Sequence, residues 1–152
     1  MNLNKVVLCI GTSKCIGDSL GPMVGENLCR KINKANIYVF GNLKNNITYQ
    51  NVDILLSKIN RKIQNPYLIL VDSALANKEN IGKIVISKNK TIIGSALSKS
   101  NYKFGNISIK GIVGENKDNN IKNYNILNNV SKNLIQNLSN KIQDKIMQYL
   151  YV

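Results

Sequence analysis

Histidine is absent from all 152 residues of the chain. That absence excludes Ser-His-Asp and Cys-His nucleophilic catalysis, histidine-ligated zinc and any imidazole proton shuttle. Chemistry must fall to carboxylates, lysines, hydroxyls, thiols or backbone groups. Arginine occurs only at Arg30 and Arg61, and carboxylates number eight. Cys9, Cys15 and Cys29 are odd in number and show no C-x-x-C spacing, so neither a disulfide framework nor a zinc knuckle is expected, and a reducing cytoplasm fits best. No apolar run approaches the length of a signal-peptide core or a membrane span. The expectation is a soluble cytoplasmic protein with no membrane partner.

The formal charge is +13, a value that ordinarily points to a polyanionic partner. Here Asn, Ile and Lys dominate every segment alike, the pattern of an AT-biased genome. The lysines form no dense block, and aromatic residues are not interleaved with them as a single-strand stacking platform requires. The reading is a solvated basic surface with no specific nucleic-acid partner.

Apolar residues are placed in an ordered alternation. Residues 5 to 10 read as a strand buried on both faces, and Leu20, Val24, Leu28 and Ile32 as a helix with Pro22 in its first turn and Asp18 or Ser19 as its cap. A second strand, Ile37 to Phe40, ends at Gly41. Val52, Leu55, Leu56, Ile59 and Ile63 mark a second helix, stopped by Asn65-Pro66. Tyr67 to Val71 is a third strand, ending just before Asp72. Ile84 to Ile86 and Ile107 to Ile112 are further strands, separated by a loop over the sheet edge at residues 93–100. One C-terminal helix carries Ile126, Leu127, Val130, Leu134, Leu138, Ile142 and Ile146, with Leu134 and Leu138 as core residues. Strand and helix in alternation imply a single α/β domain over residues 1–152, a mixed and mostly parallel sheet with helices on both faces.

Ligands in such sheets bind at the carboxyl ends of the strands. The stretch "GTSKCIGDSLGP", Gly11 to Pro22, follows the first strand where a phosphate-binding loop would sit. It has one residue too many for G-x-x-x-x-G-K-[ST], and it carries Asp18 in place of the cation. Asp18 and Asp72, each leaving a buried strand, can therefore converge on one cleft. Three readings of the pair stay open. Asp18 caps the helix and Asp72 closes a turn; or the two carboxyls share a proton, one acting as acid and the other as base; or they hold a divalent metal through oxygen alone. Cys15 as a nucleophile lacks a histidine partner. Nothing in the spacing singles out a Ser-Lys dyad drawn from Ser13, Ser19, Ser95 or Ser98 with Lys14 or Lys99.

"GTSKCIGDSLGPMVGENL", "LILVDSALA", "IGSAL" and "FGNISIKGIVG", in this order, resemble the YyaC-like family of sporulation proteins. That family is similar to germination protease and, more distantly, to the hydrogenase-maturation endopeptidases. The resemblance covers roughly residues 6–114. It implies a three-layer sandwich of the phosphorylase/hydrolase-like kind and a cytoplasmic peptidase linked to sporulation, acting on a protein or peptide substrate. Asp18 and Asp72 would be the catalytic carboxylates, with Gly11, Gly17, Ser19, Gly94 and Ser95 lining the cleft. On this reading backbone N–H groups at the start of the helix after Gly21 would stabilise the oxyanion.

The chain departs from the family in "KNNITY", Lys44 to Tyr49, where a histidine is usual, and in Ile93 and Gly114-Glu115. With the metal-ligand histidine of the hydrogenase-maturation branch also missing, no cofactor is expected, and a metal bridging Asp18 and Asp72 is not anticipated. A rival from another class is a non-catalytic sporulation factor that keeps the fold and binds a protein partner. Homo-oligomerisation is left open.

Overall fold

Val6, Val7, Leu8 and Cys9 are all fully buried, so strand β1 (Lys5–Cys9) is covered on both faces, as its unbroken apolar run requires. The computed structural model describes residues 3–88, 91–92, 103–104 and 106–151. After β1 come α1 (Leu20–Lys31), β2 (Ile37–Phe40), α2 (Val52–Lys62), β3 (Tyr67–Ala76), β4 (Ile84–Ser87), β5 (Thr91–Ile92), β6 (Lys103–Phe104), β7 (Ile107–Glu115), α3 (Asn120–Asn128) and α4 (Lys132–Leu150). The main sheet has the order β2-β1-β3-β7-β4. Its pairings are parallel except for β4, which runs antiparallel to β7. The fold is thus α/β with a mixed, mostly parallel sheet.

Because side chains alternate across a strand, the sheet sorts its residues between two cores. Val7, Cys9, Ile69 and Val71 lie with Leu20, Val24 and Leu28 of α1 and Ile135, Leu138, Ile142 and Ile146 of α4. Val6, Leu8, Ile10 and Leu70 lie with Ile47, Val52, Leu56 and Ile59, beneath α2. Helices therefore cover both faces.

Three boundaries differ from the sequence reading. Strand β3 does not stop at Val71 but continues to Ala76. Its pairing with β1 ends at Cys9↔Val71, whereas its pairing with β7 runs on from Asp72↔Lys110 to Ala76↔Glu115, past a shift between Ala74 and Leu75. Asp72 is consequently not a strand tip; it is the first residue of β3 beyond the reach of β1. The C-terminal helix is two helices. Asn119 caps α3, its Oδ1 accepting from Lys122 N at 3.0 Å, and Ser131 caps α4, its Oγ accepting from Leu134 N at 3.1 Å. Such caps compete with a continuous helical ladder and favour a new start. Of the two expected core residues, Leu138 is 1% exposed and Leu134 packs partly buried against the same core. The third difference is the antiparallel pair β5 and β6, Thr91↔Phe104 and Ile92↔Lys103. Residues 93–100, read as a loop, lie outside the described residues, and with them Gly94 and Ser95.

Candidate active site

The loop that carries Asp18 begins where β1 gives out. Ile10 N donates to Val71 O at 2.8 Å, and Gly11 N then donates to Ile47 O at 2.8 Å, so the chain leaves β3 at this point. Gly11 adopts φ +147°, and a Cβ there would lie 2.0 Å from the Asp18 carbonyl oxygen. Only glycine lets the loop fold back on itself so closely. Thr12 N donates to that same Asp18 carbonyl at 3.0 Å. Gly17, Asp18 and Ser19 form a 3-10 turn, with Gly17 buried against Leu127 of α3. Ser19 Oγ donates to Ile16 O at 2.6 Å.

Neither Asp18 nor Ser19 caps α1 through its side chain. The capping role expected of them is absent because both side chains are engaged elsewhere: Ser19 within its own turn, and Asp18 with Ser73, whose Oγ donates to Asp18 Oδ1 at 3.3 Å. The observed contacts of Gly11, Gly17 and Ser19 lie within the loop and its packing. Gly21 is buried against the Ile10 carbonyl, where a Cβ would lie 2.1 Å from the oxygen, so α1 and the end of β1 meet main chain to main chain at this point.

Asp72 does not close a turn, since it lies within β3. Its Oδ1 accepts from the Ser73 backbone N–H at 2.8 Å, and its Oδ2 accepts a short hydrogen bond from the Tyr49 hydroxyl. Lys110 stands beside it in register on β7. The two aspartates are thus brought to one end of the sheet and joined through a single residue: Ser73 holds Asp72 with its amide and Asp18 with its hydroxyl.

Electrostatics follow from this partial burial. Desolvation raises the Asp72 carboxyl from an ordinary 3.8 to about 6; the Tyr49 and Ser73 hydrogen bonds and the Lys110 charge oppose the rise, and the Asp18 charge adds to it. Asp18 is also raised, by burial, against the pull of the Ser73 hydroxyl. Tyr49 is held protonated by burial and by the neighbouring negative charge of Asp72.

Because the folded pKa of Asp72 exceeds its unfolded value, its contribution to stability is full below about pH 4 and is lost as pH rises through about 6. Wild type should therefore lose about 3 kcal/mol relative to Asp72→Asn between those limits. Urea unfolding of both proteins across this range checks it; parallel curves would remove the shift.

Ser73, Tyr49 and Lys110 were not singled out by sequence. Ser73 is adjacent to Asp72 and was available to inspection, but its double role depends on the loop fold. Lys110 follows only from the β3–β7 register. Tyr49 reaches the site through the segment 41–51, which is set by asparagine contacts such as Asn45 N to Asn42 Oδ1 at 2.8 Å and Asn46 Nδ2 to Asn42 O at 2.9 Å. Of the Ser-Lys alternatives, Ser13 Oγ donates to Leu43 O at 3.0 Å and Ser19 Oγ to Ile16 O, while Ser95, Ser98 and Lys99 lie outside the described residues. Cys15 is buried.

Among the described residues no three histidine, cysteine, aspartate or glutamate side chains gather as a metal-binding group.

This arrangement sits on a fold shared with hydrogenase-maturation endopeptidases. The NiFe hydrogenase maturation protease HycI of Thermococcus kodakarensis KOD1 is similar at a TM-score of 0.59 and 17% identity, covering 98% of this chain and 94% of that one. The hydrogenase maturating endopeptidase HybD of E. coli is similar at a TM-score of 0.57 and 12% identity, covering 97% and 92%. The chain itself belongs to the family described as protein of unknown function, DUF1256, whose model matches residues 1–145. A relative is the uncharacterized protein YyaC of Bacillus subtilis (strain 168), 30% identical over 139 residues; the match spans 91% of this chain and 66% of the relative's own length.

Proposed function

We propose that this protein is a peptidase of the germination-protease type, linked to sporulation, which hydrolyses a peptide bond of a protein substrate with Asp18 and Asp72. The observation that carries the reading is the linkage of the two carboxyls through Ser73 at the carboxyl end of β1, where β3 runs on beyond it. The endopeptidase-like fold supports it. Both acids are raised, which suits a pair in which one keeps a proton while the other gives its charge to catalysis.

Asp72 takes donors on both oxygens, while Asp18 Oδ2 is not engaged by Ser73. Asp18 then activates water for attack on the peptide carbonyl. Protonated Asp72 supplies the proton to the leaving nitrogen, and the Tyr49 hydroxyl donates to the carboxylate so formed; the proton that Asp18 takes from water returns to Asp72 through solvent as the products leave.

Incubation of the purified protein with small spore proteins and with reduced, carboxymethylated lactalbumin tests this. Cleavage by wild type and its loss in Asp18→Asn supports the peptidase. Cleavage that survives Asp18→Asn removes the carboxylate mechanism. Absence of cleavage under every condition favours a non-catalytic sporulation factor that binds a protein partner. That second reading draws on α3, where Ile121 and Tyr124 are 76% and 65% exposed beside the loop that carries Asp18.

A further inference from the structure

We propose that β3 carries a peptide-binding edge: where β1 ends, the main chain of Ser73 and Leu75 takes an extended polypeptide segment as an added strand, and the Ser73 N–H receives one of its carbonyl oxygens. The inference rests on the peptidase reading only in taking that segment to be the substrate.

The direction of the backbone groups along β3 fixes which residues are open. Val71 O accepts from Ile10 N on the β1 side, whereas Leu68 O accepts from Asn106 N and Ala76 O from Asn116 N on the other. Since backbone groups alternate between the two edges of a strand, Val71, Ser73 and Leu75 turn toward β1, and Asp72, Ala74 and Ala76 toward β7. The pairing with β1 stops at Val71, and the turn at Gly11 sends the chain to Ile47 instead. Among the described residues, no strand is paired with β3 on that side beyond Val71.

Ser73 N–H is the informative exception. A strand neighbour would supply a carbonyl at that position; the Asp72 carboxylate supplies its Oδ1 at 2.8 Å. A strand-edge donor is seldom left without an acceptor, and here the acceptor is the candidate catalytic group itself. An arriving peptide carbonyl fits the same donor. It would release Asp72 Oδ1 and set the carbonyl beside both acids, with the Ser73 N–H as the polarising donor. Ser73 and Leu75 are half-buried rather than sealed, so the edge can be reached.

Recognition by strand addition uses main-chain groups for affinity and alternate side chains for selectivity. The ligand class is therefore an unfolded, extended segment of polypeptide, not a folded surface.

Leu75→Pro removes the edge N–H without touching the β7 ladder, because that N–H faces away from β7; proline is tolerated at a strand edge of this kind. With reduced, carboxymethylated lactalbumin as probe, Leu75→Pro should raise KM about tenfold over Leu75→Ala, which truncates the same side chain but keeps the N–H, while kcat holds. A folded Leu75→Pro protein with the KM of Leu75→Ala overturns the proposal.

A second measurement needs neither turnover nor that variant. In the Asp18→Asn protein, hydrogen exchange at the Leu75 amide should slow about tenfold when the same probe is added to saturation. An unchanged exchange rate overturns the edge. Failure of wild type to cleave any substrate instead removes the peptidase reading and leaves the exchange experiment as the judge of the edge.

Discussion

Asp72→Asn is expected to abolish cleavage, with kcat falling about a thousandfold or more, while the protein melts no lower than wild type near neutral pH. General acid catalysis by a positioned side chain contributes about 10²–10⁴ in rate, and an amide cannot deliver the proton. Stability should survive for a separate reason. Burial holds the carboxyl at about 6, so near pH 7 the folded chain carries a half-buried charge at a cost that asparagine relieves. The surrounding groups can accommodate the change, since an amide oxygen still accepts from the Ser73 N–H and the Tyr49 hydroxyl can accept from the amide nitrogen. Loss of activity with retained fold separates a catalytic acid from a structural one. A variant that unfolds at neutral pH, or one that still cleaves, would sink the assignment.

The largest effect on stability is expected at the joint between α4 and the sheet. Leu138 is 1% exposed and Ile142 fully buried, and both join the core that holds Leu20, Val24 and Leu28 of α1 with Ile109 and Val71 of the sheet. Truncation of either to alanine removes several methyl groups from a packed site that can collapse only partly. Leu138→Ala and Ile142→Ala should each cost about 2–5 kcal/mol. Lys132 and Lys141, both exposed on α4, should tolerate alanine within about 0.5 kcal/mol. Thermal melts of the four variants decide it, and a Leu138→Ala protein as stable as wild type would mean that α4 is not part of the core.

How much of this was legible before the structure depended on the range of the interaction involved. Strands β1 and β2 and helices α1 and α2 are written in local periodicity, and a run such as Val6 to Ile10 has few alternatives to a buried parallel strand. The end of β3 was misread because an aspartate after five apolar residues looks like a stop. Only its non-local partner β7 carries the strand on to Ala76. The break between α3 and α4 hinged on Ser131, a cap whose side chain could equally have pointed to solvent within a longer helix. In the site, Asp18 and Asp72 could be read as a pair from their places after two buried strands. Tyr49 could not, because no periodicity governs the turn-rich segment that delivers it, and Lys110 could not, because its position beside Asp72 is a matter of register.

The seam between α1 and the strand ends has a consequence for how this sequence can drift over generations. At Gly11 the loop meets the Asp18 carbonyl, and at Gly25 a Cβ would lie 1.7 Å from the Gly41 carbonyl oxygen; the contacts are main chain against main chain. A substitution that exchanges one side chain for another elsewhere on the surface leaves such contacts unaltered. Exchanges among asparagine, lysine and isoleucine can therefore rewrite exposed positions of the protein without moving the acid that the loop presents. At these glycines such exchanges must stop, because any Cβ would meet main chain.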